Sequence, residues 1–398
     1  VCLPWRASLL LGCQSHFAKA GNHPSCILER GGEIGGEFDS GIARSFGSSC
    51  LRANRVQGLR GRKRPFMQGD VMMLHRRHAL AMSIAAGLAP IAARAQGGQP
   101  WRPTRPIRLI VPFAPGGSND IVGRIIAEAA SQALGQPIVI ENRAGAGSMI
   151  GAEHVARAAP DGYTVLINSA HAAVPAIVAR VPYRTIEDFA GVAIAGFSPH
   201  VLVVHPDMPA RTAQELVTLL RANPGKYNFA SAGIGSGVHV AAELFRTIMK
   251  VDVELVHYRG GGPGVAALAA NEAQVGTPTM ASSIGQIRGG RLRALAVLAA
   301  QRSPALPDVP SAPEAGISGV IFEEFFPIVA PAATPAPVLA ALGAAFRGAI
   351  TQSAARLAEL AGVVPRAGIE TPEQVMAVVR QGVESYSAIL RAAGVQPE

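Results

Sequence analysis

Cysteine is missing from this 398-residue chain beyond its first fifty positions: Cys2, Cys13, Cys26 and Cys50 are all there is. Whatever folds downstream therefore relies on neither disulfides nor thiol chemistry. Net charge is scarce as well. The whole chain carries +9, but from Gln96 onward 23 basic residues face 22 acidic ones. A near-neutral body lacks the electrostatic footprint of a nucleic-acid binder, so no nucleic-acid partner is expected. Beyond residue 95, Gly, Pro or a charge breaks every apolar run short of the roughly 20 residues that span a bilayer. Only 16% of the chain is charged and 49% is hydrophobic, which fits a large buried α/β core. His171, His200, His205, His239 and His257 show no metal-ligand spacing, and neither metal nor cofactor is expected.

The amino-terminal quarter reads differently. Residues 1–71 lack helical or strand periodicity and end in the basic cluster Arg60-Gly61-Arg62-Lys63-Arg64. We read them as a leader that is non-native to the mature protein or disordered. Residues 72–95 have the parts of a signal peptide: His75-Arg76-Arg77-His78, a short apolar run from Ala79 to Ala92, and Ala93-Arg94-Ala95. Cleavage is expected before Gln96, which makes the product an exported one. Arg76-Arg77 leaves general and twin-arginine export both open.

The remaining ~300 residues suffice for two domains of ordinary size. Ile107-Arg108-Leu109-Ile110-Val111 reads as a buried strand, Pro112 to Gly117 as a glycine turn, and Ser118-Asn119-Asp120 as a helix start. Val122, Ile125, Ile126, Ala129 and Ala133 follow at helical spacing. A strand that empties through Gly-Gly onto a helix N-terminus presents free backbone N–H groups, and with the helix dipole behind them these favour an anion. Strand-then-helix alternation continues, which predicts parallel sheets covered on both faces. Thr212 and Glu215 form a capping-box pair before a helix to Ala222. Helices are predicted over 337–350, 354–361 and 372–392. Small-residue loops end the strands at Pro115–Asp120, Ser169–His171, Ser231–Ser236 and Tyr258–Gly262. In open α/β sheets ligands sit at such strand ends, so two sheets facing one cleft are expected.

Several ordered motifs carry a resemblance. They include Pro112-Phe113-Ala114-Pro115-Gly116-Gly117 with Asp120, Glu141-Asn142-Arg143-Ala144-Gly145-Ala146-Gly147, and Ala159-Pro160-Asp161-Gly162-Tyr163-Thr164. Further on come Pro224-Gly225-Lys226-Tyr227-Asn228-Phe229-Ala230-Ser231, Tyr258-Arg259-Gly260 and Gly290-Arg291-Leu292-Arg293-Ala294-Leu295. From Trp101 to Val395 the chain resembles the periplasmic solute receptors of tripartite tricarboxylate transporters, the Bordetella uptake gene family. The resemblance implies an α/β, two-lobed periplasmic-binding-protein fold of the type II, Venus-flytrap kind. One lobe would be 101–198 plus 324–398 and the other 199–323. It implies a monomeric, non-enzymatic receptor in the periplasm that passes a small organic acid to membrane permease subunits. The implied ligand-binding residues are Pro115, Gly116, Gly117, Ser118 and Asp120 with Ser169, Ala170 and His171 on one side. Ser231, Gly235, Ser236, His239, Tyr258 and Gly260 close from the other. Where the family carries Val-Asp and a polar pair, this chain has Ala273-Gln274 and Pro278-Thr279, so Thr277 and Thr279 are the local substitutes.

Read residue by residue, other roles stay open. Asp120 and Arg124 form an i,i+4 pair, and Asp120 suits capping its loop as well as meeting a ligand. Arg143 and Arg259 suit surface pairing. Ser236 and His239 would serve an exported hydrolase, though no third group is evident, and a receptor that presents its ligand to a signalling kinase is a further alternative. Gly262-Pro263-Gly264-Val265-Ala266-Ala267 fits a dinucleotide fingerprint, but Pro263 removes a needed N–H and no acidic residue follows about 20 residues on.

Overall fold

The computed structural model describes residues 101–178 and 180–397. The expected leader, signal peptide and cleavage position lie outside these residues. The described chain forms two five-stranded sheets, each with helices against it. Among the described residues no helix is long and apolar enough to cross a membrane.

In the first sheet β1 (Ile107–Val111) is flanked by β2 (Ile138–Asn142) and β3 (Thr164–Ile167), both parallel to it. Beyond β3 come β10 (Glu323–Pro331) and then β4 (Phe189–Pro199), giving the order β2-β1-β3-β10-β4. Every β1 residue except Arg108 is buried. Helix α1 (Ser118–Leu134) lays Val122, Ile125, Ile126 and Ala129 onto this sheet as the spacing predicts, whereas Ala133 is exposed. Each large aliphatic side chain so buried contributes about 1.5–3 kcal/mol. Helices α2 (Met149–Ala156), α7 (Ala336–Gln352), α8 (Ala354–Ala361) and α9 (Pro372–Ala392) complete this body.

The second sheet has the order β7-β6-β8-β5-β9. Its strands are β5 (Val201–Val204), β6 (Asn228–Ser231), β7 (Glu254–His257), β8 (Val275–Gly276) and β9 (Arg293–Val297). Its helices are α3 (Ala213–Ala222), α4 (Gly237–Met249), α5 (Gly261–Ala269) and α6 (Met280–Arg288). Thr212 caps α3 by accepting from Glu215 N at 3.1 Å, but the Glu215 carboxylate takes Arg211 N instead, so only half of the expected capping box forms.

Neither sheet is purely parallel, which corrects the sequence-based expectation. β10 runs antiparallel to both β3 and β4, and β5 runs antiparallel to β8 and β9. Local strand–helix–strand units do give parallel neighbours: β1, β2 and β3 in one sheet, β6 with β7 and β8 in the other. The exceptions are the strands by which the chain changes sheets. β4 ends at Pro199 and β5 begins at Val201, and the return strand β10 starts beside that exit, with Glu323 opposite Pro199. His200 N donates to Phe322 O at 3.2 Å, and Leu298 N donates to His200 O at 2.8 Å. The two crossings are thus laced side by side.

Candidate functional site

The turn after β1 is held from within. Gly116 has φ +79°, a backbone that favours glycine, and its N–H donates to Asp120 Oδ2 at 3.0 Å. Asn142 Nδ2 and Arg124 Nε also reach the Asp120 carboxylate, at 3.1 and 3.0 Å. Burial pushes that carboxyl up, but the bonds from Arg124, Gly116 and Asn142 outweigh it and leave it below the ordinary carboxylate value. Asp120 therefore shapes the loop from behind. Replacing it with alanine removes the acceptor that ties Gly116 N, Arg124 and Asn142 together, although Asn142 Nδ2 keeps Phe113 O at 3.0 Å, and we expect a loss of about 1–2 kcal/mol in chemical denaturation. A loss under about 0.5 kcal/mol, the range of ordinary surface changes, would refute this role.

The next residue ties two turns together. Asn119 Oδ1 accepts from Ser169 N at 3.0 Å, and its Nδ2 donates to Ser169 Oγ at 2.8 Å. Both residues are buried. This clasp fixes the start of α1 against the short turn of helix Ser169–Ala172 that follows β3.

Three more helix starts face the same space from the second body. They are α4 with N-cap Ser236, α5 with N-cap Gly260, and α6 with N-cap Thr279. Residues from all four beginnings, with Phe113, Ala232 and Glu324, line a cavity of about 20 Å³. Only Ser236 caps its helix with a side chain, by accepting from His239 N at 3.1 Å. Gly117, Gly260 and Thr279 make no side-chain cap, so the first two N–H groups of α1, α5 and α6 keep their capacity to meet an anion. Around the cavity the walls touch through bare backbone. Ala114 N donates to Arg259 O at 3.3 Å, and a Cβ added at Gly262 would lie 2.7 Å from Pro115 O.

Glu324 enters the cavity from the start of β10, a residue that reading the sequence for sites passes over. It is 2% exposed, and Ser118 Oγ lies 3.4 Å from its Oε2. Burial pushes its carboxyl up to about 7, against a smaller opposing effect of hydrogen bonds from Ser169 and Ser118. The acidic pair Glu323-Glu324 opening the otherwise apolar strand Glu323–Pro331 is the available signal.

The sequence-predicted residues divide into three groups. Gly117, Ser118, Ser169, Ser236 and Thr279 line the cavity. Pro115, Gly116 and Gly260 form the seam beside it, while Asp120, Gly235 and Ser231 support the turns; Gly235 N donates to His239 Nδ1 at 3.1 Å. The others turn away. Ala170 is fully buried in its turn, and His171 bonds Thr185 O at 2.7 Å, edge-on to Phe189 and stacked on Tyr183. Burial drives the His171 imidazole down to about 4, so it is a neutral core residue. Tyr258 lines a separate groove of about 650 Å³ with Arg259 and the loop 144–150. Thr277 is buried with its hydroxyl unbonded, while its carbonyl meets His200 Nδ1 at 2.6 Å.

The chemistry on offer is binding. Ser236 Oγ donates to Gly233 O at 2.7 Å while it accepts from His239 N, and the His239 Nδ1 accepts from Gly235 N. Neither group has a free partner for nucleophile activation, so the Ser236–His239 dyad is not formed. Arg143 pairs with Glu141 at 2.6 Å, as expected of a surface residue. Among the described residues no group of three or more His, Cys, Asp or Glu is placed to hold a metal.

Comparison with known proteins agrees with this geometry. The family described as "Tripartite tricarboxylate transporter family receptor" matches residues 122–394. Protein BugT of Bordetella pertussis is 33% identical over 297 residues, covering 74% of this chain and 91% of that protein. The solved periplasmic binding protein BugD superposes with a TM-score of 0.71 at 29% identity, over 74% of this chain and 100% of that one. MatC from Rhodopseudomonas palustris, solved with bound malate, gives 0.69 at 32% identity over 72% and 99%. Two α/β bodies meeting over clustered helix N-termini, a profile match across most of the described chain and this degree of identity lead to one conclusion: the chain belongs to the receptor family of the tripartite tricarboxylate transporters.

Proposed function

We propose that this protein captures a small organic acid between its two bodies and delivers it to membrane permease subunits. The observation that carries the reading is the meeting of four helix N-termini on one cavity, three of them without side-chain caps. Backbone N–H groups and aligned dipoles favour a carboxylate without prescribing the remainder of the molecule. The malate in MatC is an acid of this kind. In our reading Gly117, Ser118 and Ser169 hold the carboxylate from one lobe (101–198 plus 324–398). Ser236, Gly260 and Thr279 approach it from the other (199–323). The laced crossings at 198–200 and 322–324 act as the hinge, since two short strand connections are all that must bend. The receptor works as a monomer in the periplasm after its signal peptide is removed at Ala95/Gln96.

A thermal-shift screen against di-, tri- and aromatic carboxylates tests the reading. An acid present at one hundred times its Kd stabilises by about 2.7 kcal/mol, a plain rise in Tm. If a broad panel of acids leaves Tm unchanged, the carboxylate reading fails.

A further inference from the structure

The cavity contains a carboxyl group of the protein's own. We propose that Glu324 is a ligand-contacting residue that shares a proton with the bound carboxylate, so that the receptor takes up its acid together with a proton. This rests on the carboxylate reading above and specifies how the site accepts the charge.

The surroundings of Glu324 supply hydrogen-bond donors but no cation. Ser118 and Ser169 donate to it, and its Oε1 lies so close to Gly237 that no Cβ fits there. On α1, Asp120 and Arg124 are paired with each other at 2.9 Å. In the turn after β3, His171 is bonded to Thr185 O. On α4, His239 lies 3.7 Å from Glu243, which Arg246 also holds at 2.8 Å. Along β10, Glu323 is tied to Arg366 at 2.6 Å. From α9 the Tyr386 phenol, raised well above its ordinary value by burial and then by the two glutamates, is neutral. Among the described residues Glu324 has no ion-pair partner, and burial alone accounts for its rise to about 7.

A carboxylate bound at these helix starts stands beside this group, and two carboxylates at contact distance do not both ionise; the pair keeps one proton. A ligand ammonium is the other way to neutralise Glu324. The site disfavours it, because four helix N-termini present positive ends and N–H donors to the same space, and an ammonium needs acceptors. The proton comes from solvent and sits on Glu324, whose O–H donates to a ligand oxygen while its other oxygen accepts from Ser118. At neutral pH a group of this kind is already about half protonated, so the proton is cheaply found.

Calorimetry on the purified protein decides the matter, with malate, succinate, citrate, benzoate and glutamate as probes in phosphate and in Tris. For any acid that binds, we expect uptake of about half a proton per ligand at pH 7 and nearly one at pH 8. Affinity should weaken about tenfold from pH 6 to pH 8. Glu324→Gln, which keeps the acceptor for Ser118, should bind with no proton uptake and a flat pH profile. The buffer comparison on the unaltered protein stands even if that variant does not fold. Acids that bind without proton uptake overturn the proposal and leave the receptor reading intact. So does glutamate binding that is pH-independent and lost in Glu324→Gln, which would assign Glu324 to an ammonium. Failure of every probe at every pH removes the carboxylate reading and this inference with it.

Discussion

Asn119→Ala is expected to lower stability by about 3–4 kcal/mol and Tm by about 8 °C. Asn119 is 2% exposed, and both ends of its amide are committed to Ser169. Removing it leaves the Ser169 N–H without its acceptor and takes one donor from the Ser169 hydroxyl, which still donates to Glu324, in a place where water has little room. Each stranded buried group costs about 1–3 kcal/mol, far more than the net worth of the bonds themselves. The damage should also reach the ligand, since α1 and the turn after β3 would lose their common register. Urea denaturation with a thermal-shift titration measures both effects. A stability loss below about 1 kcal/mol would show that the two turns hold their places without the clasp.

Glu324→Gln should act in the opposite direction and stabilise the protein. Folding raises this carboxyl from 4.5 to about 7. Between those values the folded state holds more protons than the unfolded one, so its contribution is fully favourable below about pH 4.5 and is lost as pH rises to about 7. Above that, keeping the ionised group buried costs about 3 kcal/mol, which glutamine avoids. The variant should therefore melt about 4–6 °C higher at pH 8, with the gap closing as pH falls toward 4.5. Melting curves at pH 5, 6, 7 and 8 supply the check. A difference that does not vary with pH would mean that Glu324 is not the buried acid described here.

Much of the fold around this site is legible in the sequence. The β1 strand, its glycine turn and the helix behind it follow from local pattern, and so do the helices at 354–361 and 372–392, whose ends match the structure. Local pattern does not carry strand direction between distant segments, so the antiparallel β5 and β10 went unforeseen. The two-residue strand β8 and the helix Met280–Arg288 are too short or too mixed in composition to stand out. His171 follows a strand end, which marks it in the sequence as a site residue. A single turn of helix rotates it into the aromatic cluster of Tyr183 and Phe189 instead. Glu324 is inconspicuous in the sequence for a complementary reason. Its neighbours in the cavity come from residues 118, 169 and 237, and only the folded chain assembles them.

The bare backbone seam between Pro115–Gly117 and Gly260–Gly262 also bears on affinity. The walls it joins leave about 20 Å³, room for about one water and less than any organic acid occupies. In the binding mode proposed above, an acid must part the seam to enter, and the fully shut form competes with it for the same protein. Observed affinity is then the intrinsic affinity scaled by the fraction of molecules not shut. The smoothness of two facing glycine turns becomes a dial on ligand sensitivity, one that evolution can turn at Pro115, Gly116 and Gly262, which do not line the cavity.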